Sequence, residues 1–200
     1  MQLLSSFRTV ASLVYFAALI WPQGARADAF IAVCERTPAV ATAIVSHVNE
    51  LQGTQKTCQQ VTADDLATIP RVSVEYMDIS QFKAGDFSGL TTLEILNIRS
   101  NPYTTLPEGL FDGLTNLKTL VIIGTSLRYL PDDFLAATPN LENIHCFRNN
   151  FRTISESVLQ RFSALAHVQV IDVDDELFAP EKDRLRSIFA NRPEVRLFFR

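Results

Sequence analysis

The chain repeats itself, and the repeat limits its fold more than any other feature. Leu93, Leu96 and Ile98 are followed by Asn101, Tyr103, Leu106, Leu110, Phe111 and Leu114. Twenty-four residues on, the same slots hold Leu117, Leu120, Ile122, Thr125, Leu127, Leu130, Phe134, Leu135 and Thr138. The next step gives Leu141, Ile144, Cys146, Asn149, Phe151, Ile154, Val158, Leu159 and Phe162. One step back from Leu93 lie Ile69, Val72, Val74, Met77, Ile79, Phe82, Asp86, Phe87 and Leu90, and one step beyond Leu141 lie Leu165, Val168, Val170 and Val173. The register holds over about 105 residues without insertion or deletion. A unit this short cannot bury its own apolar face, so successive copies must stack into a continuous core.

Each copy has a strand-like part, in which apolar residues alternate with others at a period of two. The apolar members point inward and the intervening ones form a sheet surface. A column of mostly polar residues follows (Met77, Asn101, Thr125, Asn149, Val173). An asparagine amide there can satisfy backbone groups in the tight turn after each strand. Phe87, Phe111 and Phe134 are placed to fill the opposite side with aromatic packing. The pattern L-x-x-L-x-L-x-x-N-x-L, with segments such as Leu106-Pro107-Glu108-Gly109-Leu110-Phe111 and Phe87-Ser88-Gly89-Leu90, resembles the leucine-rich-repeat family, in its 24-residue extracellular class. The resemblance covers residues 62–175. It implies an α/β fold: a right-handed solenoid with a short parallel β-sheet on the concave face. It also implies recognition of a macromolecule, usually protein and sometimes glycan or lipid.

A stacked core needs covers at both ends. Thr37-Pro38 reads as a helix start, Val40, Ile44, Val48 and Leu51 as its apolar face, and Gly53 as its stop. Thr62 to Asp65 begins a second, short helical turn. Cys34 precedes the first helix and Cys58 follows it, so a Cys34–Cys58 disulfide would staple this N-terminal helical cap; Cys146 occupies an inward slot and reads as a buried thiol. At the other end, Pro180, Glu181 and Asp183 start a helix with Leu185, Ile188 and Phe189 on one face; Asn191 and Pro193 end it. Val195, Leu197 and Phe199 alternate as a final strand, completing a helix-strand cap.

Before all this, Val10 to Trp21 is apolar except for Ser12, and Ala25-Arg26-Ala27 has the small-x-small form of a cleavage site. The apolar run is about a dozen residues, short of the roughly 20 that span a bilayer. The expected organisation is a signal peptide at 1–27, the N-terminal cap at 28–65, about five repeats at 66–175 and the C-terminal cap at 176–200. Loss of Arg8 and Arg26 with the leader takes the net charge from -4 to -6. With no usable N-x-S/T acceptor, the sequence leans toward a bacterial secreted or periplasmic protein, with no membrane insertion after cleavage.

The acidic balance and the lack of a basic stripe exclude the usual electrostatic footprint of a nucleic-acid binder. No Gly-rich phosphate loop, H-E-x-x-H, G-x-S-x-G or C-x-x-C is present, so we expect a non-enzyme without cofactor. His145, His167 and Asp172 have the residue types of a two-histidine, one-carboxylate metal site, but histidines on a recognition surface are commoner, and no metal is expected. The register places Val121, Ile123, Phe147 and Ile171 on the exposed face as an apolar stripe rimmed by Arg99, Arg148, His145 and Asp172. An apolar patch with a charged rim suits protein binding. The expected ligand-binding residues are Tyr76, Ile95, Asn97, Arg99, Val121, Ile123, His145, Phe147, Arg148 and Ile171, with Phe147 as the anchor. The alternative is a structural or self-associating envelope protein, which leaves a homodimer open.

Overall fold

The computed structural model describes residues 31–146, 148–165, 167–169 and 179–191, with backbone alone at 163–164, 167–169 and 179–182. The expected leader, Phe147, Ile171 and the strand expected at Val195, Leu197 and Phe199 lie outside the described residues. The order of elements is α1 (Pro38–Gln52), α2 (Ala63–Leu66), β1 (Arg71–Ser73), β2 (Ile95–Asn97), β3 (Thr119–Val121), β4 (Asn143–His145), α3 (Glu156–Ala164), β5 (His167–Gln169) and α4 (Ala179–Ile188).

The strands make one five-stranded parallel sheet in sequence order. Arg71 pairs with Ile95, Ile95 with Thr119, Thr119 with Asn143 and Asn143 with His167, so the register is the repeat itself. In each of the first four strands the central residue (Val72, Leu96, Leu120, Ile144) is fully buried and the residues beside it are less so. Period-two alternation and parallel pairing at a fixed offset are what a leucine-rich-repeat fold requires. The core runs behind the sheet through Leu93, Ile98, Leu117, Ile122, Leu127, Cys146 and Phe151, all fully buried. Aromatic rings line the far side: Phe111 to Phe134 at 5.7 Å, Phe134 to Phe162 at 6.2 Å, and Phe82 between Phe87 at 5.7 Å and Tyr103 at 5.0 Å. Such pairs add roughly 0.5–1.5 kcal/mol each beyond the area they bury.

The asparagine column works across coils. Asn101 is buried; its Oδ1 accepts from the Met77 and Ile79 amides at 3.1 and 3.0 Å. Its Nδ2 donates to the carbonyls of Val74, Ile98 and Arg99 at 2.8, 3.1 and 3.0 Å. Asn149 does the same one pair further on, accepting from the Thr125 amide and hydroxyl and donating to Ile122 and Cys146. Each asparagine therefore closes the turn of the coil before its own. This explains Met77: a residue in this column serves the coil before its own, the first strand is preceded by α2 and not by another strand, and the Met77 side chain is free to be exposed.

Helix α1 begins with Pro38 at its first turn and stops at Gly53, which takes the left-handed φ of 63° that glycine tolerates best. Val40, Ile44 and Val48 are fully buried, and the helix packs against β1 and α2. Leu51 does not join them: it is 53% exposed, so the apolar face expected from spacing ends one turn early. The chain leaves the helix at Gly53, and the space below its last turn is filled by polar contacts among Gln52, Lys56 and Asp65 instead. Cys34 and Cys58 are disulfide-bonded with Cα atoms 5.1 Å apart. Closing this loop contributes about 3–4 kcal/mol in the chain-entropy picture.

Thr37 sits at the N-cap but makes no side-chain cap bond. Its hydroxyl donates to Asp86 Oδ2 at 2.6 Å and its amide to Asp86 Oδ1 at 2.7 Å. Buried Arg36 donates to the carbonyls of Asp86 at 2.7 Å and Ser88 at 2.8 Å. Burial lowers the Arg36 guanidinium to about 10, although Asp86 acts in the opposite direction. Thus α1 is clasped to the first coil by Arg36 on backbone carbonyls and by the Asp86 carboxylate on Thr37, contacts that helix spacing does not reveal. The short α2 carries a full capping box between Thr62 and Asp65. Helix α3 was not anticipated: it replaces the irregular far side of the fourth coil, starting after Ser155 with Glu156 in its first turn and burying Val158, Leu159 and Phe162. Helix α4 buries Leu185 and Phe189 with Ile188 packed partly against the core, and it ends before Asn191.

Candidate functional site

The outward residues of the sheet form two columns within the strands. Arg71, Ile95, Thr119 and Asn143 form one; Ser73, Asn97, Val121 and His145 form the other. All are half-buried except exposed Arg71. The pairing continues past the strands, because the Tyr76 amide donates to Arg99 and the Ser100 amide donates to Ile123 at 2.7 Å. Glu75, Arg99 and Ile123 therefore make a third column, all half-buried.

The next column has a conformation that hydrophobic periodicity cannot report. Tyr76, Ser100, Gly124 and Arg148 all lie in the left-handed region, at φ of 56°, 55°, 63° and 58°. Only glycine takes this conformation without cost; another residue loses roughly 1–2 kcal/mol. Tyr76 and Arg148 are also exposed. The chain thus keeps two large side chains at strained positions on the rim of the sheet.

Tyr76 belongs to an organised cluster. The Arg99 guanidinium lies 5.5 Å from the Tyr76 ring centre. Arg99 Nε donates to Glu75 Oε2, and Asn97 Nδ2 donates to the same oxygen at 3.3 Å and to Ser73 Oγ at 3.2 Å. Asn97 Oδ1 in turn accepts from the Arg99 amide at 3.2 Å. An ion pair this exposed returns about 0–1 kcal/mol, and an exposed cation–π contact about 0.5–1 kcal/mol. Together they little more than offset the strain at Tyr76. The cluster therefore adds almost nothing to the stability of the fold that carries it. Beside it, exposed Met77 lines a cleft of about 650 Å³ whose other walls include Thr37, Pro38 and Phe82.

Of the expected ligand-binding residues, the structure places Tyr76, Ile95, Asn97, Arg99, Val121, Ile123, His145 and Arg148 on one continuous face. Half of the expected apolar stripe, Val121 and Ile123, is there; Phe147 and Ile171 lie outside the described residues. Ser73 and Glu75 belong to the face and were not singled out. Opposite charges at Glu75 and Arg99, one repeat apart in an outward column, were the available signal. The His145–His167–Asp172 arrangement falls partly outside the described residues, among which no group of three or more potential metal ligands occurs. Burial pushes the Cys146 thiol up to about 12, which leaves almost no nucleophilic thiolate at neutral pH.

No family model matches the sequence, and no curated protein matches it. Solved structures do. A chain of the Toll–Spatzle complex, a molecular hub in Drosophila development and innate immunity, aligns at TM-score 0.51 and 24% identity, covering 69% of this chain and 18% of that one. A leucine-rich-repeat protein of Leptospira interrogans aligns at TM-score 0.46 and 22% identity, covering 60% and 28%. The chain thus spans less than a third of either. At this identity the likeness is one of fold. The parallel sheet register at a constant 24-residue offset, together with the likeness to the chain of the Toll–Spatzle complex, gives this chain a leucine-rich-repeat fold.

Proposed function

We propose that the chain is an exported leucine-rich-repeat binding module that recognises a protein on the concave face of its sheet. One observation carries the reading: in-register outward columns bring a polar cluster at Glu75 and Arg99 beside the half-buried apolar side chains of Val121 and Ile123, with exposed Tyr76 and Arg148 on the rim. Aromatic and arginine side chains next to apolar surface are what binding hot spots are made of. Ile95, Asn97 and His145 complete the contact surface. Five strands at about 4.8 Å make a sheet only some 20–25 Å wide, whereas a standard interface takes about 800 Å² from each partner. The loops on the rim therefore contribute, or the complex is weak.

In this reading residues 1–27 are a cleaved leader, 28–65 an N-terminal cap, 66–175 a right-handed solenoid and 176–200 a C-terminal cap. The Cys34–Cys58 disulfide supports residence in an oxidising compartment, secreted or periplasmic in a bacterium. Among the described residues no helix is long and apolar enough to cross a membrane. The protein is not an enzyme and takes no cofactor.

The test is cross-linking capture from the native surroundings by oxidised residues 28–200, with a folded Val121→Asp, Ile123→Asp variant alongside. Wild type captures a specific partner and the variant loses it. Equal capture by both would move binding off this face. A stable dimer that captures nothing would favour a self-associating structural role.

A further inference from the structure

The Arg99 cluster has open valences. Arg99 uses Nε on Glu75, while its two terminal nitrogens have no hydrogen-bond partner among the described residues. The guanidinium is held from one edge by Glu75 and from one side by the Tyr76 ring, so little freedom remains to be lost when a ligand arrives. The free edge is a planar pair of donors, whose natural complement is a carboxylate bound through both oxygens. Arg71 stands exposed on the same face of β1 without an ion-pair partner among the described residues. Next to the donors lies uncovered apolar surface, with Tyr76 at 71% exposure and Met77 at 40%. Tyr76 occupies a left-handed backbone position where the equivalent residue two coils on is glycine, so the fold does not ask for an aromatic there. Strain kept at an exposed aromatic points to use outside the fold.

We propose that Arg99 and Tyr76 form the anchor of the binding face, reading an aspartate or glutamate side chain of a protein partner. The carboxylate takes the two terminal nitrogens of Arg99. An apolar neighbour of that acidic residue rests on Tyr76 and Met77. This rests on the reading of the sheet face as a protein-binding surface, and it moves the centre of that surface to the first two coils.

A random-peptide display library, panned against the full oxidised chain, tests it. Enriched peptides carry an acidic residue beside an apolar one. Binding of such a peptide falls about tenfold or more in Arg99→Gln and in Arg99→Lys, which keeps the charge and loses the planar fork. Tyr76→Ala weakens it as well. Changing the acidic residue of the peptide to its amide has little further effect in Arg99→Gln, because the two changes remove one interaction. All of these substitutions are at exposed or half-exposed positions, and unchanged circular dichroism and urea midpoints establish that the variants fold. Absence of any enriched peptide, enrichment of peptides without an acidic residue, or indifference of acidic peptides to Arg99→Gln would each overturn the proposal. If Ile123→Asp abolishes binding while Arg99→Gln does not, the sheet face stands and its anchor is elsewhere. If neither substitution matters, both readings fall.

Discussion

Replacing Asn101 by alanine removes the five hydrogen bonds that its buried amide makes to Val74, Met77, Ile79, Ile98 and Arg99. The losses are unequal. The Ile98 carbonyl keeps the Tyr103 hydroxyl at 3.2 Å, and the Arg99 carbonyl keeps the Tyr76 amide. The Met77 amide and the Ile79 amide lose the acceptor shown for them, and the Val74 carbonyl loses its donor. A buried polar group left unpaired costs about 1–3 kcal/mol. Exposed Met77 lets water reach its amide, which leaves two groups at full cost and a small cavity besides. The expected loss is roughly 3–5 kcal/mol. It is read as a shift of the urea midpoint at constant slope, with the disulfide intact. Met77→Asn, in the same column one coil earlier, is the control. An asparagine there finds no preceding strand whose turn it could close and stands at an exposed position, so stability changes by no more than about 0.5 kcal/mol. A loss below about 1 kcal/mol for Asn101→Ala, or a large gain for Met77→Asn, would refute the account of how the coils are joined.

Three further outcomes are expected. Gly124→Ala meets no clash, since the nearest atom to the new methyl is Ser100 Oγ at 3.7 Å, so its cost of about 1 kcal/mol in urea unfolding reports the left-handed backbone alone; Ser100→Gly shifts the midpoint the other way. Asp65 is held well below the usual carboxylate range, first by the Lys56 hydrogen bond and then by the Thr62 amide, against the opposing effect of burial. Its contribution is therefore full well above the unfolded value near 4 and is lost progressively as pH falls from there through the much lower folded value; the gap between wild-type and Asp65→Asn urea midpoints should be widest at pH 7 and reduced but still present at pH 3, and a gap that does not change with pH would contradict this. Cys146, with its thiol pushed up to about 12 by burial, resists a thiol-labelling reagent at pH 8 in the native protein and reacts on unfolding.

The sheet, its register and most of the core were legible because an unbroken period reports inward and outward positions directly. Leu96, Leu120 and Ile144 are buried where that period puts them. Helix α3 was hidden because Val158, Leu159 and Phe162 satisfy the coil pattern and a short amphipathic helix equally well. The Arg36–Asp86 clasp was hidden for a different reason: its groups are 50 residues apart, and no repeat relates the end segment to the first coil. Leu51 had the right spacing but nothing to pack on. At the candidate site, position was legible and conformation was not. Tyr76 and Arg148 were placed on the rim, but their left-handed backbone follows from a turn whose residues share no chemical type.

The direction of the asparagine bonds bears on how such a chain is made. At the two junctions they bridge, Asn101 closes a turn near Met77 and Asn149 one near Thr125, and in both cases the closing residue comes later in the sequence. A ribosome or export channel that delivers the amino end first thus releases each of these coils before the residue that completes it. The growing protein carries an unfinished last turn, with amides still bonded to water, until another coil emerges. Interruption after the first coil leaves a raw edge rather than a shorter finished protein, so quality control acting on nascent chains has a local chemical difference to recognise at that stage.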